Sequence, residues 1–454
     1  MNPLLNPLFS ARILKHYLTD IKRAWKSGEE IKRYQDKAIK KVVRYAYNIP
    51  LYHEKYKKVG IKPEDIRGIK DLKKLPVITK DDIIGGYPDK ILPKNYKKEK
   101  ISVSTSGSSG KAITIFKDAE LIMVEAIFAL RQLFTYGISW RKDKITNIGD
   151  FSVPKTSDEE CLRKGLMRNL SPLFSFKNYQ NLYTGEEVNI LLNKIEEFSP
   201  KLIIGYTSVL MGIAYLRKKY GRVEPDYIIS SGEVLDNYSR KYIEEAFNCD
   251  VLNLYATTEG GSIAFECLEK NFHINSDFSY LEILDENFEE AGENEHGNVV
   301  ITRLHASATP VIRYIGLNDI ASISRDKCNC GQNTPLLHSL GGRKKDAIIL
   351  EGGAIIPPAT LPMPLVEIFE KHESKAIKRY QFIQDRVGNV EIRIEAEEEV
   401  GEEFLEGIRN AYEKFFEGRA KVEVREKEAE KVGYSYPMVI SKVNIEHEIQ
   451  KNIK

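Results

Sequence analysis

The chain has 454 residues, and its length, composition and charge already exclude several classes of protein. A single hydrophobic core rarely organises a chain of this length, so we predict two or more domains. Hydrophobic residues make up 42% of the sequence, which is ordinary for a soluble globular protein. Lys and Arg total 68 against 66 Asp and Glu. This near balance gives no global support for nucleic-acid binding.

The first stretch, MNPLLNPLFSARILKHYLTDIKRAW, differs from a secretory signal peptide. Pro3 and Pro7 interrupt its apolar residues, and its basic residues follow these instead of preceding them. No run of about 18 apolar residues occurs, so we predict no transmembrane segment. Residues 14–25 have an amphipathic pattern, typical of a helix that lies on a membrane surface or packs on its own domain, and we predict packing. We expect a cytoplasmic protein.

The segment that follows predicts a helix, and then a parallel sheet. Ser27 with Glu30 forms a capping box, and apolar residues recur at helical spacing behind it until Pro50. Up to about residue 340, short apolar runs alternate with amphipathic segments. KLIIGY, DYIISSGE and DVLNLYATTE are typical of buried strands, and SVLMGIAYLRKKYG and SRKYIEEAF are typical of helices. This alternation is the βαβ pattern of a parallel sheet.

The last part of the chain has a different pattern. AIILEGGAIIPP predicts a hairpin, NVEIRIEAE and KVEVRE predict strands, and GEEFLEGIRNAYEKFFEG predicts an amphipathic helix. We therefore predict an α/β protein with two domains. Residues 1–342 form a large domain with mixed or parallel sheets and helices, and residues 343–454 form a small, mobile α+β domain.

The stretch ISVSTSGSSGKAITIFKD is the first candidate for a binding site. A flexible linker would lie in polar surroundings, whereas this Ser/Gly segment has apolar residues on both sides. We therefore predict strand–loop–strand, with the loop N–H groups, its hydroxyls and Lys111 available to an anion. Thr105 and Ala112 stand where the Walker pattern needs Gly and Ser/Thr. From the loop alone, a phosphate site and a plain turn remain open.

Four further segments accompany the loop in a fixed order: SSGE (230–233), YATTE (255–259), RYIGLND (313–319) and GGRKKD (341–346). In this order they resemble the adenylate-forming superfamily of acyl-CoA synthetases and their relatives. VRYAYNIPLYHEKYKKVGIKPEDIRGIKDLKKLPVITKDDI resembles the phenylacetate–CoA ligase-like branch of that superfamily. The resemblance extends from about residue 28 to the end of the chain.

The resemblance assigns the loop to the β- and γ-phosphates of ATP, through Ser104, Thr105, Ser106, Gly107, Ser108, Gly110 and Lys111. It places Gly232 and Glu233 along the adenine and packs Tyr255 on the ring. The alternative for Tyr255 is an ordinary core aromatic.

The resemblance also implies contacts to the rest of the nucleotide. Thr258 would contact the α-phosphate, and Glu259 would bind Mg²⁺, a hard cation that prefers oxygen ligands. Asp319 would accept hydrogen bonds from the ribose hydroxyls, and Arg343 would reach the nucleotide from the domain junction. Asp319 follows the Arg-Tyr pair one residue later than is usual in the family. A surface carboxylate is the alternative for Glu259.

The activity that the resemblance implies has two halves. A carboxylate attacks the α-phosphorus of ATP, which gives an acyl-adenylate, and a thiol, usually coenzyme A, then displaces AMP. A hinge near residues 343–346 would let the small domain rotate between the halves. Other acceptors, including a deazaflavin coenzyme, and a nucleotide-binding homologue without catalysis remain alternatives. A homodimer is left open.

The cysteines give a separate signal. Five cysteines without a signal peptide argue against a disulfide framework. CNCG supplies Cys328 and Cys330, and FECLEKNFHIN supplies Cys267 and His273. Three thiolates and one imidazole form a closed set suited to structural Zn²⁺, and members of the branch resemble this arrangement. Unrelated cysteines are the alternative.

The resemblance also implies a Gly-Lys pair near the end of the small domain, whose Lys reaches the reacting carboxylate. The corresponding segment here is EKEAEKVGYSYPMVISKVNIEHE. If this segment is aligned with the family at ISKV (440–443), Ser435 or Tyr436 takes the place of that Lys. Lys431 is the nearest upstream candidate, and Lys442 is the downstream alternative. If neither reaches the site, we expect adenylation to be slow or absent.

The acyl substrate is not identified by the sequence. By analogy with the family, residues 146–154 and 205–210 lie near the acyl pocket. Phe151 and Tyr206 would line it and favour an aromatic or flat carboxylate, or else they belong to the core.

Overall fold

The computed structural model describes residues 5–104, 113–149, 177–184, 186–343, 348–352, 355–356, 361–362, 364–365, 368, 377–432 and 437–443, with backbone alone for 341–343 and 355. The helices of three turns or more, together with two shorter ones, are α1 (Pro7–Asp20), α2 (Gly28–Ala46), α3 (Pro50–Lys58), α4 (Lys80–Gly86), α5 (Ala119–Thr135), α6 (Val188–Phe198), α7 (Thr207–Tyr220), α8 (Asn237–Phe247) and α9 (Glu402–Phe415). Short 3₁₀ segments are Arg23–Trp25, Pro63–Asp65 and Ile69–Lys74.

The strands before residue 300 are β1 (Lys100–Ser104), β2 (Thr114–Asp118), β3 (Ile145–Gly149), β4 (Tyr179–Tyr183), β5 (Leu202–Gly205), β6 (Tyr227–Ser231), β7 (Asp250–Thr257), β8 (Gly261–Glu266), β9 (Phe272–Ile274), β10 (Ser279–Leu284) and β11 (Gly297–Arg303). The later strands are β12 (Asp319–Ser324), β13 (Leu336–Arg343), β14 (Ile348–Ile349), β15 (Ile355–Ile356), β16 (Ile377–Arg386), β17 (Asn389–Ala396), β18 (Lys421–Glu426) and β19 (Val439–Ser441).

The chain forms two compact units. The first unit comprises Met1–Asp143, Lys155–Asn178 and Leu252–Ser339, and the second comprises Lys144–Pro154, Tyr179–Val251 and Leu340–Lys454. The predicted boundary at residue 343 is a different division of the chain, and it stays a prediction.

The first unit contains a sheet with the strand order β10-β11-β12-β13-β9-β8-β7. Its hairpins β7–β8, β8–β9 and β10–β11 are antiparallel. Helix α1 buries Phe9 and Ile13 against Ile127 of α5. Arg131 of α5 is fully buried, and its guanidinium pairs with Asp277 at 2.6 Å. A buried pair of this kind fixes how the elements meet more than it stabilises them, because desolvation offsets much of the attraction.

The second unit contains two sheets. Strands β6-β5-β3-β4 are parallel and pack with α6, α7 and α8 around a common apolar core. Strands β18-β17-β16-β19 form a smaller sheet that packs on α9. The Tyr238 hydroxyl of α8 donates to the Ile377 carbonyl of the smaller sheet at 3.2 Å. Lys219 of α7 pairs with Glu397 at 3.1 Å.

Several predictions from the sequence are confirmed. Ser27 and Glu30 form the capping box of α2, and KLIIGY and DYIISSGE form the parallel strands β5 and β6 with helix α7 between them in the chain. The hairpin predicted near the start of the small domain is β14–β15, and the predicted α+β segment also contains β17, α9 and β18. The fold is therefore α/β with mixed sheets, as predicted. Among the described residues, no helix is both long and apolar enough to cross a membrane.

Candidate nucleotide and metal sites

The Ser/Gly loop is carried by the hairpin β1–β2. The two strands pair antiparallel, with Ser104 opposite Thr114, and their hydroxyls lie 2.8 Å apart. The backbone N–H of Phe116 donates to the Thr309 hydroxyl at 3.1 Å, which fixes β2 within the first unit. The predicted strand–loop–strand is confirmed at both strands. The remaining predicted phosphate contacts, Thr105, Ser106, Gly107, Ser108, Gly110 and Lys111, lie outside the described residues.

The YATTE segment forms a tight turn between β7 and β8. Thr258 and Glu259 lie in this turn, Thr258 half-buried and Glu259 with 6% of its surface exposed. The Thr257 hydroxyl accepts from the Gly260 N–H at 2.9 Å, and Arg303 donates to the Glu259 carbonyl at 3.0 Å. These bonds hold the turn backbone from two sides, which is the preorganisation that a phosphate or metal contact needs.

A glycine closes the same turn. Gly261 has φ +66°, and a Cβ built there would lie 2.6 Å from the Phe278 ring. Any other residue would therefore combine a left-handed backbone with a steric clash.

The Glu259 carboxylate contacts a residue of the RYIGLND segment. The Tyr314 hydroxyl donates to Oε1 of Glu259 at 3.3 Å, and Tyr314 is fully buried. Burial, with the neighbouring carboxylate, raises the pKa of Tyr314 above its usual range, so the phenol stays a donor. Glu259 is thus oriented within the first unit and retains oxygen lone pairs for a hard cation.

Tyr255 and Asp319 meet although they are 64 residues apart in sequence. The Tyr255 hydroxyl donates to Oδ2 of Asp319 at 2.5 Å, and both side chains are buried. The structure thereby joins the YATTE and RYIGLND segments through the two residues predicted to contact adenosine. A hydrogen bond to a carboxylate is about twice as strong as one between neutral groups, so it orients Asp319.

The loop before Asp319 contains two residues with left-handed backbone. Arg313 and Asn318 have positive φ, +46° and +59°, and Asp319 then begins β12. Asn adopts this left-handed conformation more readily than most residues. The Arg313 guanidinium pairs with Glu282 at 3.0 Å and also donates to the Leu75 carbonyl. Arg313 therefore has a structural role in fixing the loop.

In the second unit, Gly232 and Glu233 follow β6. Gly232 has φ +80°, and a Cβ there would lie 2.5 Å from the Tyr206 ring, so the backbone and this ring are in close contact. The Glu233 carboxylate accepts from the N–H of Ser208 at 2.7 Å and from its hydroxyl at 3.0 Å. Burial raises the pKa of Glu233, although both bonds from Ser208 act in the opposite direction.

Lys431 is exposed in the C-terminal part of the second unit. The residue before it, Glu430, is held by Gln381 through an N–H bond of 2.8 Å and a carbonyl bond of 2.9 Å. Lys442 is also exposed and pairs with Asp385 at 2.9 Å. Ser435 and Tyr436 lie outside the described residues, as does Phe151. Arg343 ends β13, and only its backbone is described.

The predicted metal ligands come together in the first unit. Cys267 follows β8, His273 lies in β9, and Cys328 and Cys330 lie between β12 and β13. The pairing of β9 with β8 and with β13 brings these segments together. One ligand atom from each of the four residues lies within 4.8 Å of the others.

The distances fit a tetrahedral zinc site. The sulfurs of Cys267 and Cys328 are 3.6 Å apart, and Sγ of Cys330 is 3.2 Å from Nε2 of His273. Zn–S and Zn–N bond lengths of about 2.3 and 2.1 Å in a tetrahedron give edges of about 3.8 and 3.6 Å. A small contraction or expansion of the cluster would therefore accommodate the ion.

Polar neighbours orient these ligands. Asn271 donates to Sγ of Cys328 at 3.2 Å, and the Thr334 hydroxyl lies 3.1 Å from Nδ1 of His273, which leaves Nε2 toward the sulfurs. Burial raises the pKa of Cys267 to about 12 and lowers that of His273 to about 4. The neutral imidazole is the form that binds a metal, while a buried thiolate needs a nearby cation. Glu259, the proposed Mg²⁺ ligand, is not a member of this cluster.

Some contacts within the candidate sites were not predicted from the sequence. Tyr314 belongs to a quoted segment, but nothing in its spacing indicates a bond to Glu259. Ser208 and Thr334 act through tertiary contacts with Glu233 and His273. Their partners are far away in sequence, so periodicity and motif spacing carry no signal for them.

Comparison with known proteins gives relatives of similar length. Protein CapK of Staphylococcus aureus is 25% identical over 387 residues, which cover 84% of this chain and 81% of CapK. The phenylacetate-coenzyme A ligase of Thermus thermophilus is 24% identical over 411 residues, covering 83% and 85%. No family model matches the chain.

The fold also has solved relatives. The structure of 2-hydroxyisobutyryl-CoA ligase in the postadenylation state matches with a TM-score of 0.76 at 16% identity, covering 95% of this chain and 94% of that one. The motifs, the sequence relatives and the fold agree. The chain therefore has the fold of the adenylate-forming CoA ligases, and its sequence is similar to those of phenylacetate-coenzyme A ligases.

Proposed function

We propose that this chain is an AMP-forming acid–thiol ligase that activates a carboxylate with ATP and passes the acyl group to a thiol such as coenzyme A. The observation that carries this proposal is the Tyr255–Asp319 hydrogen bond, which joins two segments of the first unit that we predict to contact the nucleotide. Relatives named phenylacetate-coenzyme A ligase support the same activity. A related ligase has been solved with an acyl-AMP and coenzyme A.

The proposed chemistry has two balanced steps. A substrate carboxylate oxygen attacks the α-phosphorus, the bond to the β-phosphate oxygen breaks, and pyrophosphate leaves. The thiol sulfur then attacks the carbonyl carbon of the acyl-adenylate, the thiol loses its proton, and AMP leaves. Both steps depend on positioning and on stabilising negative charge more than on an acid–base residue.

Each predicted residue has a role in this scheme. In the first unit, Asp319 accepts from the ribose hydroxyls, Tyr255 orients Asp319, and Thr258 contacts the α-phosphate. Glu259 would hold Mg²⁺, and the ion would neutralise phosphate charge. The buried carboxylate, which accepts a hydrogen bond from Tyr314, fits such an ion. The loop of residues 104–111 would bind the β- and γ-phosphates.

The second unit contributes further roles to the proposal. The backbone at Gly232 and the side chain of Glu233 would lie along the adenine, and Arg343 would contact the nucleotide. Lys431 is the candidate that approaches the reacting carboxylate, with Lys442 as its alternative.

We also propose that Cys267, His273, Cys328 and Cys330 hold one structural Zn²⁺. Four protein ligands complete a tetrahedral ion and leave no open position, so the ion would not take part in the reaction. It would tie the segment after Glu259 to the segment after Asp319, and both carry proposed nucleotide contacts.

Product analysis tests the proposed activity. The purified chain is incubated with ATP, Mg²⁺ and coenzyme A over a panel of carboxylates that includes aromatic acids. We expect AMP and the acyl-CoA in equal amounts for at least one acid, measured by mass spectrometry. Acyl-adenylate without thioester would point to another acceptor, and bound ATP without turnover of any acid would contradict the proposal.

A further inference from the structure

Helix α1 has one buried face and one apolar face that the described residues leave uncovered. Phe9 and Ile13 pack inward on α5, as the sequence predicts for a helix that packs on its own domain. Four leucines nevertheless remain largely exposed: Leu5 at 74%, Leu8 at 77%, Leu14 at 56% and Leu18 at 63%. Single exposed leucines are common, whereas a group of four within one short segment marks an interaction surface.

Helical spacing places part of this group on one stripe. Leu14 and Leu18 are four residues apart and therefore neighbours on the helix surface, and the exposed Ala11 lies three residues before Leu14. The stripe lies on the side opposite to Phe9 and Ile13, so it does not contribute to the core of the first unit.

The exposed charges on the chain segment that carries the stripe have one sign. Within residues 5–26 the exposed charged side chains are all basic: Arg12, Lys15, Lys22 and Lys26. Asp20 is the one acidic residue in this range, and it is buried and paired with Arg23 at 2.5 Å. Lys15 lies three residues before Leu18 on the helix and borders the leucine stripe, and Lys22 lies just beyond the end of α1. Arg12 pairs with Glu120 of α5 at 3.2 Å.

This combination selects among the surfaces that α1 could bind. A symmetric contact with a second copy would bring the same patch against itself and place Lys15 and Lys22 opposite like charges. An anionic lipid surface instead accepts leucines at the acyl boundary and lysines at the phosphates. We propose that α1 binds the surface of an anionic membrane and so makes this protein a peripheral membrane protein. The proposal is independent of the proposed ligase activity.

Vesicle flotation of the full-length chain tests the proposal. The probes are phosphatidylcholine vesicles with and without phosphatidylglycerol, each at low and high salt. The wild type should bind the anionic vesicles alone, and binding should weaken with salt. Leu14→Ser/Leu18→Ser should reduce the partition coefficient at least about tenfold, because each leucine loses apolar burial in the lipid. Lys15→Gln/Lys22→Gln should reduce it by a similar factor.

Matched surface variants keep the experiment interpretable. Val59→Ser removes an apolar side chain that is 52% exposed, and Lys57→Gln/Lys58→Gln removes two exposed charges from α3. Both should bind like the wild type, and all variants should unfold at the wild-type temperature. No binding of wild type to anionic vesicles, or equal binding by the leucine variant, would overturn the proposal. A dimer in light scattering that the leucine changes dissociate, without lipid binding, would assign the stripe to a second copy instead.

Discussion

Replacing Cys328 with Ser tests the proposed zinc site, because it removes one of four converging ligands without adding bulk. The Cys328 sulfur lies 3.6 Å from Sγ of Cys267 and accepts from Asn271, so its loss affects the donor set directly. A ligand that binds only the folded protein stabilises it by about 3–4 kcal/mol when present at 100–1,000 times its Kd. In a folding unit of about 250 residues, each 1 kcal/mol shifts Tm by about 2–4 °C. We therefore expect Cys328→Ser to lower Tm by roughly 6–16 °C.

The assay combines elemental analysis with thermal unfolding of protein purified without added metal. The wild type should contain about one zinc per chain and the variant much less. Cys249→Ser is the matched control, because Cys249 is also half-buried and not in a disulfide but lies outside the cluster. Asn271→Ala should retain zinc with about 10–100-fold lower affinity, since it removes only a group that orients a ligand. A stable, metal-free wild type, or a Cys328→Ser protein that behaves like Cys249→Ser, would refute the zinc site.

Three other changes test separate parts of the account. Asp319→Asn should weaken ATP binding about 10–100-fold through loss of a charged hydrogen-bond acceptor, with little change in Tm; equal affinity by calorimetry would argue against the ribose contact. Gly232→Ala should lower unfolding stability by about 1–3 kcal/mol, because the added Cβ meets Tyr206 2.5 Å away at φ +80°; an unchanged denaturation midpoint would contradict that contact. Burial lowers the pKa of His305 from 6.5 to about 4, so the unfolded chain takes up this proton first and stability falls by about 3 kcal/mol as pH drops from 6.5 to 4. His305→Gln should flatten this pH dependence in denaturant titrations, and an identical pH profile would rule out His305 as its source.

Local patterns in the sequence predicted most of the elements. The capping box at Ser27, the Ser/Gly loop between two strands and the alternation in NVEIRIEAE each depend on residues that are close in sequence. Propensity and hydrophobic periodicity act at this range, so these features could be predicted without knowledge of the fold. The ligands of the metal cluster could also be predicted. Few types of side chain bind zinc, and only one residue separates Cys328 from Cys330.

The remaining features depend on tertiary contacts. The Tyr255–Asp319 bond spans 64 residues, and the Tyr314 hydroxyl reaches Glu259 only because β11 and β12 bring the loop between them back to the β7–β8 turn. The grouping of the C-terminal segment with α7 and α8 depends on contacts such as Tyr238 with Ile377, which no local pattern encodes. For α1, the sequence indicated an amphipathic helix. Which of its leucines remain exposed depends on packing and is known only from the structure.

Carboxylate-dependent ATP–pyrophosphate exchange tests the central claim most directly, since it reports formation of the acyl-adenylate without the thiol. We predict exchange with at least one carboxylate in the wild type, loss of exchange in Lys431→Ala, and wild-type exchange in Lys442→Ala. Thioester formation from a synthetic acyl-adenylate should persist in Lys431→Ala, because the second half-reaction does not need that charge. Exchange that survives both substitutions would remove Lys431 from the proposed site, and its absence with every carboxylate, despite normal ATP binding, would contradict the ligase account.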